Sequence, residues 1–248
     1  MKVGFVSLGC SKNLVDTEMM IGLFKKNRFE IVNNPSKAEI IVINTCGFIG
    51  PAKEEAINTI LEMVEYKKKR CKYLIVMGCL VQRYVDDLKK SLPEVDLFLT
   101  ISEYDKAWEK ISSLLGMKNN CQAMEYLDRT ITTGKNTAYL KIAEGCSNNC
   151  TYCAIPYIRG SFISRPMEEI LEEAKMLAKQ GYEEINEKWY LRFDLLDLYK
   201  TSYKMPWVVS VRSMFNDAMV NYIVYFNIQD SPEPPEPEPI PVDPEEGE

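Results

Sequence analysis

Three cysteines near the middle of the chain have the residue type and the spacing for metal chemistry. Residues 144–160 read EGCSNNCTYCAIPYIRG, so Cys146, Cys150 and Cys153 fall within eight positions, and no cysteine follows them. Thiolates bind zinc and iron–sulfur clusters, and a closed structural zinc site has four protein ligands. Three protein ligands leave one position of a metal open, and substrate binds at such a position in catalytic metal sites. The pattern therefore predicts a metal centre that performs chemistry.

The composition favours an iron–sulfur cluster over zinc at this loop. The chain contains no histidine, which excludes zinc sites with imidazole ligands and catalysis by a histidine base. Zinc sites made only of thiolates combine two C-x2-C pairs, and the second pair is missing here. Bacterial ferredoxins use C-x2-C-x2-C, whereas the first gap in this loop has three residues. A [4Fe–4S] cluster on three thiolates keeps one iron free of protein ligands, and a zinc-binding interaction module is the alternative.

A second set of cysteines lies in the first third of the chain. Cys10, Cys46 and Cys79 follow the apolar runs KVGFVSLG, AEIIVINT and YLIVMG, and each has a glycine beside it: Gly9, Gly47 and Gly78. These runs read as strands, and ligands of open α/β sheets bind outside the carboxyl ends of the strands. Glycine allows the backbone to approach a bulky group closely. We therefore expect a shared ligand, with three buried apolar fillers as the alternative; Cys71 and Cys121 lack this context and are interpreted as structural.

The first 117 residues alternate apolar strands with amphipathic helices, which predicts an α/β domain with a parallel sheet and helices on both faces. Helices are predicted near residues 16–27, from Pro51 through the basic run ending at Arg70, and over VQRYVDDLKKSL and EYDKAWEKISSLL. DLFLTI is predicted as a further strand. The sheet would bring the carboxyl ends of its strands, and so the three cysteines, to one edge.

Charge and hydropathy indicate a cytoplasmic chain without a membrane partner. The final stretch SPEPPEPEPIPVDPEEGE contains seven acidic residues and no basic one, so it is expected to be a solvated, disordered tail, and the rest is close to neutral. The near-neutral body carries no net basic signature for nucleic acid. No run approaches the roughly 18–20 apolar residues that span a bilayer. MKVGFVSLGC reads better as a strand than as a secretion signal, so disulfides are not expected.

Both cysteine sets together resemble the radical S-adenosylmethionine methylthiotransferase family. The matching segments are SLGCSKNLVDTE, VINTCGFI, VMGCL, EGCSNNCTYCAIPYIRG and SRP at residues 164–166. The resemblance implies two [4Fe–4S] clusters, one held by Cys146, Cys150 and Cys153 and one held by Cys10, Cys46 and Cys79. It implies a Rossmann-like N-terminal methylthiotransferase domain before a radical β/α barrel, and S-adenosylmethionine as methyl donor and as radical source. An electron donor would reduce the cluster. Tyr152, just before the last cysteine, is expected at the cofactor, where shielding the cluster from water is favoured and simple packing is the alternative.

The family has two main branches with different substrates. One adds a methylthio group to the β-carbon of an aspartate in a small-subunit ribosomal protein, and the other modifies an adenosine of tRNA. Ser11 and Lys12 stand where the tRNA branch more often has Gln and Met, so the resemblance favours the ribosomal-protein substrate, with tRNA as the alternative. A non-catalytic iron–sulfur-binding remnant is the third possibility. Arg159 and Arg165, near the loop, could meet a carboxylate of cofactor or substrate, although surface arginines are the commoner case.

The resemblance ends near residue 185. The predicted organisation is an N-terminal domain over 1–117, a linker over 118–137, the start of the radical domain over 138–185, a divergent segment over 186–230 and the disordered tail over 231–248. MEEILEEAKMLAKQG is predicted as an amphipathic helix, and WVVSV and NYIVYFNI as candidate strands. An incomplete barrel is therefore expected, from a truncated, frame-shifted or misjoined reading. We expect this chain to bind the N-terminal cluster but to support little or no methylthiolation.

Overall fold

A computed structural model describes residues 1–118, 122–134, 137–148, 150–151 and 153–182, together with the strands at 184–186, 205–212 and 219–226. Tyr152, Cys121 and the acidic tail, for which the sequence made predictions, lie outside the described residues. The first part of the chain contains these elements in order: β1 (Lys2–Ser7), α1 (Ser11–Lys26), β2 (Glu30–Val32), β3 (Ile40–Thr45), α2 (Gly50–Val64), β4 (Tyr73–Gly78), α3 (Cys79–Ser91), β5 (Leu97–Leu99) and α4 (Ala107–Leu114).

The five strands form one parallel sheet in the order β2-β1-β3-β4-β5. Helices α1 and α4 cover one face, where Phe24 and Trp108 lie at the centre of a buried aromatic cluster. Helices α2 and α3 cover the other face, with Ile60 and Leu80 among the buried side chains. Both faces of the sheet are therefore covered, as predicted, and the strand order reverses between β1 and β3. A crevice opens at such a reversal in doubly wound folds.

Two helices begin closer to the cysteines than the sequence pattern predicts. Helix α1 begins at Ser11, five residues before the predicted start, and α3 begins at Cys79 itself. The first turn of α1 carries polar residues, which interrupted the apolar pattern, yet Asn13 and Asp16 are completely buried. The predicted helix EYDKAWEKISSLL starts instead as a 3-10 helix over Ile101–Lys106 before α4. Strand β2 was not predicted.

The second part of the chain contains β6 (Thr137–Tyr139), β7 (Ala143–Glu144), α5 (Ile155–Arg159), β8 (Ile163–Ser164), α6 (Met167–Lys179), β9 (Glu184–Asn186), β10 (Met205–Arg212) and β11 (Met219–Phe226). Strands β6, β9 and β10 are parallel neighbours, and β11 joins β10 antiparallel. Strands β7 and β8 form a small antiparallel pair around the three-cysteine loop. No helix in the described part of the chain is long and apolar enough to cross a membrane.

Candidate functional site

The three N-terminal cysteines follow three neighbouring strands of the sheet. Cys46 directly follows β3, Cys79 directly follows β4, and Cys10 lies three residues after the end of β1. The register pairs Ser7 with Asn44 and Thr45 with Gly78, so the three strands end at the same level. The cysteines therefore lie at one edge of the sheet, on both sides of the reversal between β1 and β3.

Glycine is required at this edge because the cysteine segments approach each other closely. Gly9 has φ +91°, and a Cβ atom there would lie 2.7 Å from Cβ and 3.1 Å from Sγ of Cys46. Gly78 has φ +102°, and its Cβ atom would collide with the side chain of Asn44. L-residues with a side chain rarely adopt this backbone conformation. The sequence predicted that these glycines admit an inorganic group; among the described residues they admit the neighbouring segments.

One side chain, Asn13, bonds to all three cysteine segments. Its Nδ2 donates to the carbonyl oxygens of Leu8 and Thr45, each at 3.0 Å. Its Oδ1 accepts a hydrogen bond from Sγ of Cys79 at 3.4 Å. Leu8 lies two residues before Cys10 and Thr45 directly precedes Cys46, so this buried amide fixes the spacing between the three segments.

Two helix N-termini and one guanidinium place positive charge beside two of these thiols. Cys10 is the N-terminal capping residue of α1 and Cys79 is the first residue of α3, and helix N-termini carry partial positive charge. Burial raises the pKa of the Cys79 thiol, while the nearby Arg159 guanidinium opposes that rise. Cys10 is exposed, Cys46 is half-buried and Cys79 is buried, so the edge is open to solvent on the Cys10 side.

The second cysteine set lies on the loop between β7 and α5. The Cys146 amide donates to the carbonyl oxygen of Gly160 at 3.0 Å, and the Cys153 amide donates to that of Cys150 at 3.0 Å. Gly145, with φ +71°, brings the start of the loop against the backbone of Ser161, where a Cβ atom would collide. Cys150 is exposed, and Cys146 and Cys153 are half-buried. The loop is thus closed at both ends by backbone contacts.

Arg159, at the end of α5, connects this loop with the first cysteine set. Its Nη2 donates to Oδ1 of Asn13 at 2.5 Å and lies 3.5 Å from Sγ of Cys79. Its Nη1 pairs with Asp16 at 2.8 Å and with Glu144 at 3.1 Å. The sequence treated a surface arginine as the commoner case, and that interpretation is wrong for Arg159, which is buried. The carboxylates that it meets belong to the protein itself.

Arg159 belongs to a buried ionic network between the two parts of the chain. Lys141 pairs with Asp16 and with Glu144, each at 2.6 Å, and Lys12 pairs with Glu144 at 3.3 Å. Burial raises the pKa of the Glu144 carboxyl, but Lys141, Arg159 and Lys12 together lower it by more, so the net shift is well downward. Burial lowers the pKa of Lys141, and its two carboxylate partners more than reverse this change. The network therefore favours the charged form of both groups.

A second buried network lies behind the first. Arg129, in the predicted linker, pairs with Glu18 of α1 at 3.3 Å and with Glu173 of α6 at 2.9 Å. Arg165 also pairs with Glu173 and lies 3.4 Å from the ring centre of Tyr126. Only 8% of the Arg165 side chain is exposed, so the commoner surface interpretation is wrong for this arginine as well. Together the two networks join α1 to the loop-bearing part.

The residues at the sheet edge fit an iron–sulfur cluster by their donor chemistry. Three free thiols from neighbouring strands, two of them at helix N-termini, supply the ligands that such clusters use. No three Cys, Asp or Glu side chains of the described residues converge on a single metal ion. A cubane cluster needs no such convergence, because each thiolate binds a different iron. The three-cysteine loop offers the same donors. Each set has three thiols, which is one fewer than the four iron atoms of a cubane.

Four polar residues of this region were missed as site residues by the sequence reasoning: Asn13, Asp16, Lys141 and Glu144. The sequence did contain a signal for Asn13 and Asp16. They are three positions apart on α1, shortly after Cys10, and residues at that spacing share one face of a helix. Polar residues on the face that packs on a sheet indicate a special role. Lys141 and Glu144 had no comparable signal, because their partners other than each other are more than 100 residues away.

Two sequence families match the chain. Residues 2–100 match the family described as uncharacterized protein family UPF0004, and residues 140–186 match the radical SAM superfamily. The first match contains Cys10, Cys46 and Cys79, and the second contains the three-cysteine loop and Arg159. The structure of the radical S-adenosylmethionine methyltransferase TsrM from Kitasatospora setae is similar in fold, with a TM-score of 0.52 at 10% identity over 75% of this chain and 47% of that one.

Curated relatives share much higher identity over the same region. The ribosomal protein uS12 methylthiotransferase RimO of Alkaliphilus oremlandii is 63% identical over 186 residues, which are 75% of this chain and 42% of the relative. The protein of the same name from Acetivibrio thermocellus is 52% identical over an alignment of 198 residues, and the match covers 74% of this chain and 44% of the relative. The chain thus spans less than half the length of these relatives. Over about three quarters of its length the chain is similar to proteins named ribosomal protein uS12 methylthiotransferase RimO.

Proposed function

We propose that this chain carries the two iron–sulfur sites of a methylthiotransferase that acts on an aspartate β-carbon of ribosomal protein uS12. The observation that carries the proposal is that Arg159 connects the two three-cysteine sets. Its Nη2 lies 3.5 Å from Sγ of Cys79, and in the sequence Arg159 follows Cys153 by only six residues. This arrangement suits a reaction in which one site generates a radical and the other supplies sulfur. The enzyme would be cytoplasmic and would take electrons from a separate donor.

At the first site, Cys10, Cys46 and Cys79 would hold one [4Fe–4S] cluster. Asn13 would fix the spacing of the three thiolates, and Gly9 would let the Cys10 and Cys46 segments meet. The N-termini of α1 and α3 would stabilise the negative charge of the thiolate-bound cluster. Cys71 has no part in this site: it is buried near the other end of β4 and lies 3.3 Å from the Tyr73 carbonyl oxygen.

At the second site, Cys146, Cys150 and Cys153 would hold the other [4Fe–4S] cluster. S-adenosylmethionine bound at the open iron supplies the radical and the methyl group when it is present. The exposed position of Cys150 leaves this loop accessible to cofactor and electron donor. Tyr152 would shield the cluster from water.

The cofactor proposal is tested by electron paramagnetic resonance on anaerobically reconstituted, reduced chain. Adding S-adenosylmethionine should change the signal of the loop cluster, because the cofactor binds its open iron. The Cys150→Ala variant should lose this change but keep the signal of the first cluster. A spectrum that does not respond to S-adenosylmethionine would contradict the proposal.

The substrate is tested separately with S-adenosylmethionine that carries a labelled methyl group. The reconstituted chain is supplied with reductant and either protein uS12 or unmodified tRNA. Little transfer is expected from this chain, and the high identity to relatives named for uS12 supports finding whatever label is transferred in the protein. Label in tRNA alone would assign the enzyme to the other branch of the family.

A further inference from the structure

Arg159 has one contact that a purely structural ion pair does not need. One terminal nitrogen of its guanidinium, Nη1, already pairs with Asp16 at 2.8 Å and with Glu144 at 3.1 Å. The remaining Nη2 points away from these carboxylates, to Oδ1 of Asn13 and to Sγ of Cys79. The loop-bearing part of the chain thus inserts a cation into the first cysteine site.

The position of this cation is fixed on three sides. Asp16 is completely buried and is held in turn by Lys141 at 2.6 Å. Glu144 also pairs with Lys141, at 2.6 Å, on the side of β7. Asn13 is completely buried and bonded to the ends of β1 and β3. Because its partners are held themselves, the guanidinium cannot turn away from Cys79 without breaking a buried pair.

A fixed positive charge that donates to a ligand sulfur has a known physical effect on an iron–sulfur cluster. Hydrogen bonds to the sulfurs and the net charge nearby set the reduction potential, and outer-shell partners orient the ligands. A cation stabilises the reduced, more negative cluster more than the oxidised one. It therefore raises the potential, and it does so strongly in a buried setting where solvent screens little.

We propose that Arg159 is a positioning residue for the N-terminal cluster, which orients Cys79 and raises the reduction potential of that cluster from the loop-bearing part of the chain. This inference rests on the proposed function, because it requires a cluster on Cys10, Cys46 and Cys79. It goes beyond that function by assigning to the N-terminal cluster a residue from the loop-bearing part of the chain. Docking of the loop-bearing part would then raise the reduction potential of the N-terminal cluster.

The test measures a potential, which a merely structural role would not move. The parent chain carries Cys146→Ala, Cys150→Ala and Cys153→Ala, so that only the first cluster is reconstituted with iron and sulfide. Arg159→Gln, which removes the charge, and Arg159→Lys, which keeps it, are added to this parent. The matched control is Arg165→Gln, since the side chain of Arg165 is also largely covered, at 8% exposure, and is paired with a carboxylate, Glu173, but is part of the other network.

Redox titration followed by electron paramagnetic resonance gives the expected pattern. Arg159→Gln should make reduction about tenfold less favourable, a shift of about 59 mV to lower potential for a one-electron couple. Arg159→Lys should shift the potential in the same direction but less, because lysine keeps the charge without the fixed fork. Arg165→Gln should leave the potential at the value of the parent.

Each contrary result has a distinct meaning. Equal shifts in the Arg159→Gln and Arg165→Gln chains, or no shift in either, would overturn the role of Arg159 while the proposed cluster stands. If Arg159→Gln fails to fold, the Arg159→Lys chain decides, and an unchanged potential there overturns the inference. A parent chain that binds no iron would overturn the proposed cluster and this inference together.

Discussion

At the scale of single residues, the site depends on side chains that are not metal ligands. Asn13 is the clearest case, because one amide bonds to the backbone before Cys10 and before Cys46 and to the Cys79 thiol. The backbone carbonyls that it satisfies would be left without that partner if the amide were removed. A buried polar group that loses its partner destabilises a fold by about 1–3 kcal/mol.

Asn13→Ala should therefore lower the free energy of unfolding by about 2–4 kcal/mol, since the lost amide adds a small cavity to the unsatisfied groups. The variant should also bind less iron at the first site. Urea denaturation and iron analysis after reconstitution measure both effects. The control is Asn58→Ala on the exposed face of α2. It should change the free energy of unfolding by no more than about 0.5 kcal/mol and leave iron binding unchanged. Equal behaviour of the two variants would contradict the role of Asn13.

Gly9 gives a second residue-scale prediction. Gly9→Ala places a side chain at φ +91° and 2.7 Å from Cβ of Cys46, so it should destabilise the chain by about 1–3 kcal/mol and displace a ligand. Gly50→Ala is the matched control, because Gly50 lies in α2 and a Cβ atom there would meet nothing within 4 Å. Thermal unfolding should show a loss for the first variant and no loss for the second. A tolerated Gly9→Ala with full iron binding would be inconsistent with the close approach.

At the scale of elements, the positions of the cysteines were predictable but their partners were not. Apolar runs that end in Cys-Gly or Gly-Cys predict strand ends, and the strands do end there. The start of α1 was missed because polar residues in its first turn resemble a loop when their buried partners are unknown, and α3 begins two residues before the predicted segment VQRYVDDLKKSL. Asp16 and Arg159 are separated by more than 140 residues, and no local pattern reports such a contact. Their pairing depends on tertiary structure.

The 3-10 helix over Ile101–Lys106, which precedes α4, offers a prediction with a defined pH dependence. Glu103 and Thr100 form a capping box, and Glu103 also pairs with Lys110. Burial raises the pKa of the Glu103 carboxyl, but Lys110 and Thr100 lower it by more, so the pKa lies below its ordinary value. Because the folded-state pKa is lowered, the stabilisation is present above the unfolded-state pKa and is lost as pH falls through the folded-state pKa.

Glu103→Gln should therefore reduce stability by about 0.5–1 kcal/mol at pH 7, and the difference from wild type should shrink as pH falls below about 4. Urea midpoints across this pH range measure the difference. Glu109→Gln, on the exposed side of α4, should show no such change. A Glu103→Gln difference that stays constant down to pH 3 would refute the assignment.

At the scale of the whole molecule, charged residues of recognised motifs hold the two parts together. Lys12 was used to choose between substrate branches, yet it is buried and paired with Glu144, so it belongs to the contact between the parts. Asp16 accepts from Lys141 and Arg159 across the same contact. The resemblance identified these segments as family motifs, but only the fold explains why their charges occur together.

Asp16→Asn should weaken this contact strongly. Removing one charge of a buried network leaves Lys141 and Arg159 without full compensation, which destabilises by about 3–5 kcal/mol. Asp128→Asn, which affects a half-exposed pair with Lys26, should change stability by at most about 1 kcal/mol. Urea denaturation and limited proteolysis between the two parts compare the variants. Similar losses in both would argue that the buried network contributes no more than a surface pair.

Iron and sulfide analysis with Mössbauer spectroscopy shows whether the chain contains two separate three-cysteine cluster sites. Three reconstituted chains are compared: wild type, the variant with alanine at Cys10, Cys46 and Cys79, and the variant with alanine at Cys146, Cys150 and Cys153. We expect about eight iron atoms in wild type and about four in each variant, all in [4Fe–4S] form. Loss of all iron from both variants, or zinc in place of iron, would contradict this expectation.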